Sequence, residues 1–271
     1  MSAKASSDAS NQNQTVTVTP GSDAAATVAR VYHVILALLG TSAMAISLYN
    51  GATRPEMGDF PNGWVFELSY FTIWSNIFVL IVNWSLFANP RRDDKIFRWL
   101  RLTSLVMIVI TGLVYAIVLA PSASVCGTGY FTNTVFHYIV PWATLLGFLL
   151  FGPRPRLTWD LLWKCLAIPI LWLIYTILRG LLMVTPPGDR CSSDPAEQVL
   201  GQPQNWYPYP FINPDYADGA PSALIPGLTA PGYAGIAINI VGVIALGLIF
   251  STIFIGIDRG LSKGEKPAHL D

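Results

Sequence analysis

The chain has 271 residues, of which 52% are hydrophobic and only 12% charged, with 16 basic and 16 acidic side chains in balance. A soluble domain carries roughly 25% charged residues, so half that fraction excludes an ordinary water-soluble globule. Zero net charge likewise leaves no global basic field for nucleic acid.

Residues 1–29 are rich in Ser, Thr, Ala, Asn and Gln and contain no apolar h-region, so they do not form a signal peptide. With few large apolar groups to offset ordering entropy, this stretch is predicted to be a disordered polar tail. Six apolar runs follow, at 31–49, 68–87, 102–119, 135–151, 161–184 and 234–257. Each approaches the ~20 residues that cross a ~30 Å hydrocarbon core. Lipid offers the backbone no hydrogen-bond partner, so the runs are predicted as helices. A barrel would show alternating segments of about ten residues. The expected fold is all-α: a bundle of six transmembrane helices over residues 30–258, with a long Pro-rich outer loop (185–233) between the fifth and sixth helices and a tail at 259–271.

Basic residues set the orientation. Lys4 and Arg30 precede the first run; Arg91, Arg92, Lys95, Arg98 and Arg101 lie between the second and third. Arg154, Arg156 and Lys164 lie between the fourth and fifth, and Arg259, Lys263 and Lys266 follow the sixth. The opposite face holds only Arg54 and Arg190, with Arg179 inside the fifth run. Both termini are therefore expected in the cytoplasm of a multi-pass plasma-membrane protein. Cys126 and Cys191 then fall on the outer face, where disulfides persist. Either they bridge and tie the last loop over the outer ends, or they are thiols too far apart to pair. Cys165, within the fifth run, reads as packing.

The outer loop holds ten of the 20 prolines. Its stretch Trp206-Tyr207-Pro208-Tyr209-Pro210-Phe211 suits either a docked cap on the bundle mouth or an aromatic belt at the lipid interface.

Polar groups inside spans are costly and therefore mark sites. Orientation assigns them depth: Thr72 and Asn76 in the second run, Tyr115 in the third, His137 in the fourth, Arg179 in the fifth and Asn239 in the sixth share one layer in the outer third. The inner half is expected to be almost wholly aliphatic. Pro141 and Pro169 lack the N–H that would bond the carbonyls of His137 and Cys165, so both helices should kink there. Individually, Thr72 reads equally as a residue bonding its own i−4 carbonyl, Arg179 as a snorkelling cation, and the asparagines as interhelical glue. Their common depth makes them a set. A hydroxyl, an imidazole and a guanidinium at one level suit a nucleophile (Thr72), a general base (His137) and a carboxylate anchor (Arg179). Asn76 or Asn239 would donate to an oxyanion. No GxSxG, HExxH or Walker motif occurs.

Phe71-Thr72-Ile73-Trp74-Ser75-Asn76, His137-Tyr138-Ile139-Val140-Pro141 and the Trp206–Phe211 motif resemble the bacterial branch of the androgen-induced and androgen-dependent (TFPI-regulating) integral membrane protein family, over about residues 30–258. The resemblance implies a six-helix membrane fold and hydrolysis of fatty acid esters of hydroxy fatty acids, with Thr72 as nucleophile and His137 beside it. The polar N-terminal tail and the long outer loop depart from the compact animal pattern, which bears on the substrate. Membrane lipids and a lipid ester are the expected partners; no cofactor, metal or nucleic acid is expected. The alternative is a lipid-binding or transport-type protein that uses the same polar layer without reacting. Paired haem ligation does not fit His33, His137 and His269, which lie at different depths, and no mid-membrane Lys offers a retinal linkage.

Overall fold

The computed structural model describes residues 23–53, 67–151, 154, 156–181, 191, 207–216 and 218–262. The predicted N-terminal tail up to residue 22, residues 185–190, 192–206 (with Trp206) and 217 of the 185–233 loop, the C-terminal residues beyond 262, and Arg54 and Arg190 lie outside the described residues.

Among the described residues the protein is all-helical, with six helices long and apolar enough to cross a membrane. They are α1 (Asp23–Ala52), α2 (Phe71–Ala88), α3 (Lys95–Leu119), α4 (Gly129–Leu150), α5 (Leu161–Gly180) and α6 (Gly232–Gly260). Three start well before their apolar runs, α1 at Asp23 eight residues ahead of its own. α3 begins at Lys95 because the Asp94 carboxylate accepts the Phe97 N–H at 2.9 Å and caps the first turn. α4 begins at Gly129, six residues ahead of its run.

α3 forms the axis of the bundle. It packs on α2, α4, the first turn of α5 and α6, while α1 lies against α2 and α4. Most of its residues from Phe97 to Gly112 are buried on every side. Lipid tails are as apolar as the helix surfaces, so close packing rather than water exclusion holds such helices together. Gly112 shows how tight that packing is: a Cβ there would sit 2.9 Å from Pro141 Cβ and 3.3 Å from the His137 carbonyl oxygen.

Both prolines act as their chemistry requires. In α4, Val140 N–H bonds the Val135 carbonyl, a five-residue wide turn immediately before Pro141. In α5, the helix breaks after Lys164 and resumes at Ala167, two residues before Pro169. The first piece of α5 meets α6, whereas Ala167–Gly180 diverges from it and leaves a wedge.

The half of the bundle opposite Thr72 and His137 was expected to be almost wholly aliphatic, and it is not. At the end of the bundle where α1 and α3 begin and α6 finishes, His33, Asn83, Arg98, Arg101, Arg156 and Asp258 are all buried. The apolar runs hid these groups because three of them, Arg98, Arg101 and Asp258, lie just beyond the windows yet remain on helix, and Arg156 sits in the turn between α4 and α5. Asp258 accepts the backbone N–H groups of Arg156 (2.7 Å) and Leu157 (2.8 Å), so α6 fixes that connection.

Candidate functional site

At the opposite end, α3 contains a second wide turn, Tyr115–Leu119, where Ala120 N–H bonds the Tyr115 carbonyl. It faces the wide turn of α4, and such turns are frequent at functional positions. Tyr115 consequently stacks on the His137 ring, with centroids 3.7 Å apart and planes 16° from parallel.

His137 Nε2 lies 3.1 Å from Thr72 Oγ1, and its Nδ1 lies 3.1 Å from the Asn133 carbonyl oxygen. A carbonyl can only accept, so Nδ1 bears the proton and Nε2 presents its lone pair to the threonine hydroxyl. The Asn133 side chain also hydrogen-bonds the Tyr115 hydroxyl, which fixes the ring on the other side of the imidazole.

Tyr209 closes the site from the loop between α5 and α6. Its ring is buried, stacked on Phe211 at 5.1 Å and edge-on to Tyr70 at 6.0 Å. Burial pushes its phenol up to about 12, against the hydrogen bonds it shares with the Thr72 side chain and the backbone N–H groups of Phe71 and Thr72. Those two N–H groups open α2 and have no intrahelical partner. One donor sense satisfies every side chain: Tyr209 to Thr72, Thr72 to His137, His137 to the Asn133 carbonyl.

Thr72, Tyr115 and Tyr209 line an apolar cavity of about 930 Å³, open mouth included. Its walls come from Val114 on α3, Pro169, Ile170 and Leu173 on α5, and Ile240, Val243 and Gly247 on α6, so it fills the wedge that the α5 break creates. Ile170 is exposed on the bundle surface.

The other expected site residues fall differently. Asn76 is buried and donates Nδ2 to the Thr72 carbonyl at 2.8 Å, a turn behind the hydroxyl. Asn239 lines the cavity, but its amide holds the loop: Nδ2 donates to the carbonyls of Phe211 (2.9 Å) and Ser222 (2.8 Å), and Oδ1 accepts the Leu224 N–H (3.0 Å). Both of its donors are spent, so it is a loop anchor with nothing left for an oxyanion. Arg179 does not line the cavity; its guanidinium lies 5.9 Å from the Tyr175 ring. Cys126 and Cys191 form a disulfide. Cys165 is buried, 3.0 Å from Ser251 Oγ.

The loop rings are docked rather than splayed. Tyr207, Tyr209, Phe211 and Ile212 pack with Trp172, whose Nε1 donates to the Ser69 carbonyl at 3.0 Å. Tyr207 packs its ring against Gly180, where an added Cβ would collide with it. Sequence reasoning did not single out Tyr209 or Asn133. The Trp206–Phe211 aromatic density signalled the first, whereas the second contributes a backbone carbonyl that no residue type announces. No protein-family model, curated protein sequence or solved structure matches the chain.

Proposed function

We propose that this multi-pass membrane protein is an intramembrane hydrolase of lipid esters, with Thr72 as nucleophile and His137 as base. The observation that carries the reading is the 3.1 Å Thr72–His137 contact, with the imidazole held in the acceptor tautomer by Asn133, beside an apolar cavity open to the bundle surface. Resemblance to the androgen-induced and androgen-dependent family supports it at the same two residues. Both termini are cytoplasmic in this reading, which sets the site in the outer leaflet of the plasma membrane, where an ester of a hydroxy fatty acid reaches it sideways between α5 and α6.

The chemistry follows from the hydrogen-bond chain. Thr72 Oγ1 attacks the ester carbonyl carbon as His137 Nε2 takes its proton. The resulting oxyanion takes the place of the Tyr209 phenol oxygen on the N–H groups of Phe71 and Thr72, and the phenol, released from Thr72 Oγ1 as that oxygen bonds the carbonyl carbon, turns to it as a third donor. His137 returns the proton to the departing alkoxide, leaving an acyl-threonine. Water, deprotonated by the same imidazole, then releases the fatty acid. The alternative reading is a lipid-binding or transport-type protein, favoured by the almost wholly apolar lining of the cavity.

Fluorophosphonate labelling of folded wild type, Thr72→Ala and His137→Ala in detergent separates the two. Hydrolase chemistry predicts labelling of the wild type that both substitutions abolish. A folded wild type that never labels, yet binds fatty acid saturably, refutes the hydrolase and supports the carrier.

A further inference from the structure

The cavity beside Thr72 has a floor, and a glycine sets its level. α3, α5 and α6 each line it along one face, and the lining residues farthest from Tyr209 are Ile110, Leu166 and Gly247. All three are buried. A Cβ added at Gly247 would meet Leu166 Cδ2 at 3.1 Å and Ile110 Cδ1 at 4.0 Å, so the three side chains close the base together. Leu166 stands in the break of α5, so the kink that opens the wedge also seals its bottom. The depth follows from α6. Asn239 is tied to the Phe211 carbonyl, and the Phe211 ring stacks on the Tyr209 ring that meets Thr72. From Asn239 to Gly247 the helix descends about 12 Å at 1.5 Å per residue.

What fills that depth is bare hydrocarbon. Of the polar side chains in the lining, Thr72 and Tyr209 belong to the reaction, and the other four are engaged. Thr111 Oγ1 donates to the Met107 carbonyl at 3.0 Å and lies 2.9 Å from Ser75 Oγ. Trp172 Nε1 donates to the Ser69 carbonyl, the Tyr115 hydroxyl bonds the Asn133 side chain, and Asn239 holds the loop. A carboxylate or hydroxyl placed below Thr72 would meet no free donor among the described residues, and burying such a group unmet is costly. The carboxylate-bearing portion of a hydroxy-acid ester is therefore kept at the mouth, and the unsubstituted acyl chain goes down.

We infer that the cavity seats a straight acyl chain, its carbonyl carbon at Thr72 and its far end on Gly247, and that Gly247 sets the length of chain it holds. A C–C bond of ~1.52 Å advances an extended chain about 1.25 Å per carbon, so about ten carbons fill the drop. Longer chains gain nothing further, because their ends turn out through the open side between α5 and α6. The placement of the carbonyl carbon rests on the hydrolase reading; the floor does not.

The test has two arms on the full chain, each run on wild type and Gly247→Leu. Butyl, octyl, decyl and hexadecyl fluorophosphonates label the protein in detergent, and decanoic acid with a terminal diazirine is photocrosslinked to it in phosphatidylcholine nanodiscs. Wild-type labelling should climb as far as decyl and then level off. Gly247→Leu should lower the decyl-to-butyl ratio of labelling rates at least tenfold, the cost of an overlong chain in a closed apolar pocket. Partition into micelles is common to both proteins and cancels. The diazirine should insert into peptides holding Ile110 or Leu166 in the wild type and lose those sites in the variant. Should Gly247→Leu fail to fold, Gly247→Ala, whose Cβ requires only the tip of Leu166 to yield, is expected to move both readouts the same way by a smaller factor. A wild type that never labels yet crosslinks at Ile110 and Leu166 sinks the hydrolase and upholds the acyl cavity. Labelling with the same length dependence in wild type and variant, or crosslinks that fall elsewhere, overturns the proposal and leaves the hydrolase standing on its own labelling.

Discussion

Asn239→Ala tests the assignment of this residue as the anchor of the outer loop. The substitution removes three hydrogen bonds of 2.8–3.0 Å, to the Phe211 and Ser222 carbonyls and the Leu224 N–H. A buried backbone group left unsatisfied costs about 1–3 kcal/mol. Water in the adjoining open cavity resupplies part of that, so the low end applies, about 3 kcal/mol for the three together. At 1.4 kcal/mol per decade, loop opening becomes about a hundredfold more frequent. Hydrogen–deuterium exchange of peptides spanning 207–228 reads this directly, because opening exposes the Leu224 amide while α3 stays protected. Asn239→Asp keeps the acceptor for Leu224 and loses both donors, so it should also release the loop. Exchange in Asn239→Ala within threefold of wild type, accompanied by lost ester cleavage, would refute the anchor and return Asn239 to a catalytic role.

Three further outcomes are expected. Gly112→Val forces a side chain into the 2.9 Å approach to Pro141 and should lower stability by about 1–3 kcal/mol, seen as a lower Tm in detergent; an unchanged Tm would mean the α3–α4 contact is loose. Tyr209→Phe removes the phenol that meets Thr72 while keeping the ring stack, so fluorophosphonate labelling should slow by roughly 10²-fold, the cost of one oxyanion donor; labelling at the wild-type rate would exclude Tyr209 from the site. Cys126→Ser opens a disulfide between residues 65 positions apart and should cost about 2–4 kcal/mol. Reductant should shift the wild type by the same amount and leave the variant unmoved; a variant that still responds would show that the bridge does not account for the shift.

Hydropathy made the six helices legible because a span must be long and apolar whatever its neighbours. Depth was legible too: counting residues inward from each run put Thr72, Tyr115 and His137 on one level. Azimuth was not. Which faces meet depends on the wide turns at 115–119 and 135–139, and each turn rotates everything beyond it by an amount that the residue pattern does not encode. Pro141 announced the distortion of α4, and Pro121 stands at the same six-residue offset from Tyr115, but just past the end of its apolar run, where a proline reads as an ordinary helix stop. Asn239 misled because an amide at the right depth looks the same whether it faces a substrate or a loop. Its three partners are backbone groups, which every sequence has everywhere. The buried arginines escaped because a positive charge beyond an apolar run reads as solvated, whereas Asp94 carries α3 on as helix past that boundary.

The last helix bears on how the chain is made. Near its start Asn239 holds the outer loop, and near its finish Asp258 holds the connection between α4 and α5. At 1.5 Å per residue the two grips stand roughly 28 Å apart, one at each end of a single rod. Until the ribosome has released that rod into the bilayer, five inserted helices wait with both connections unlatched. A stop codon anywhere ahead of residue 258 would leave at least one end of the bundle permanently in that state.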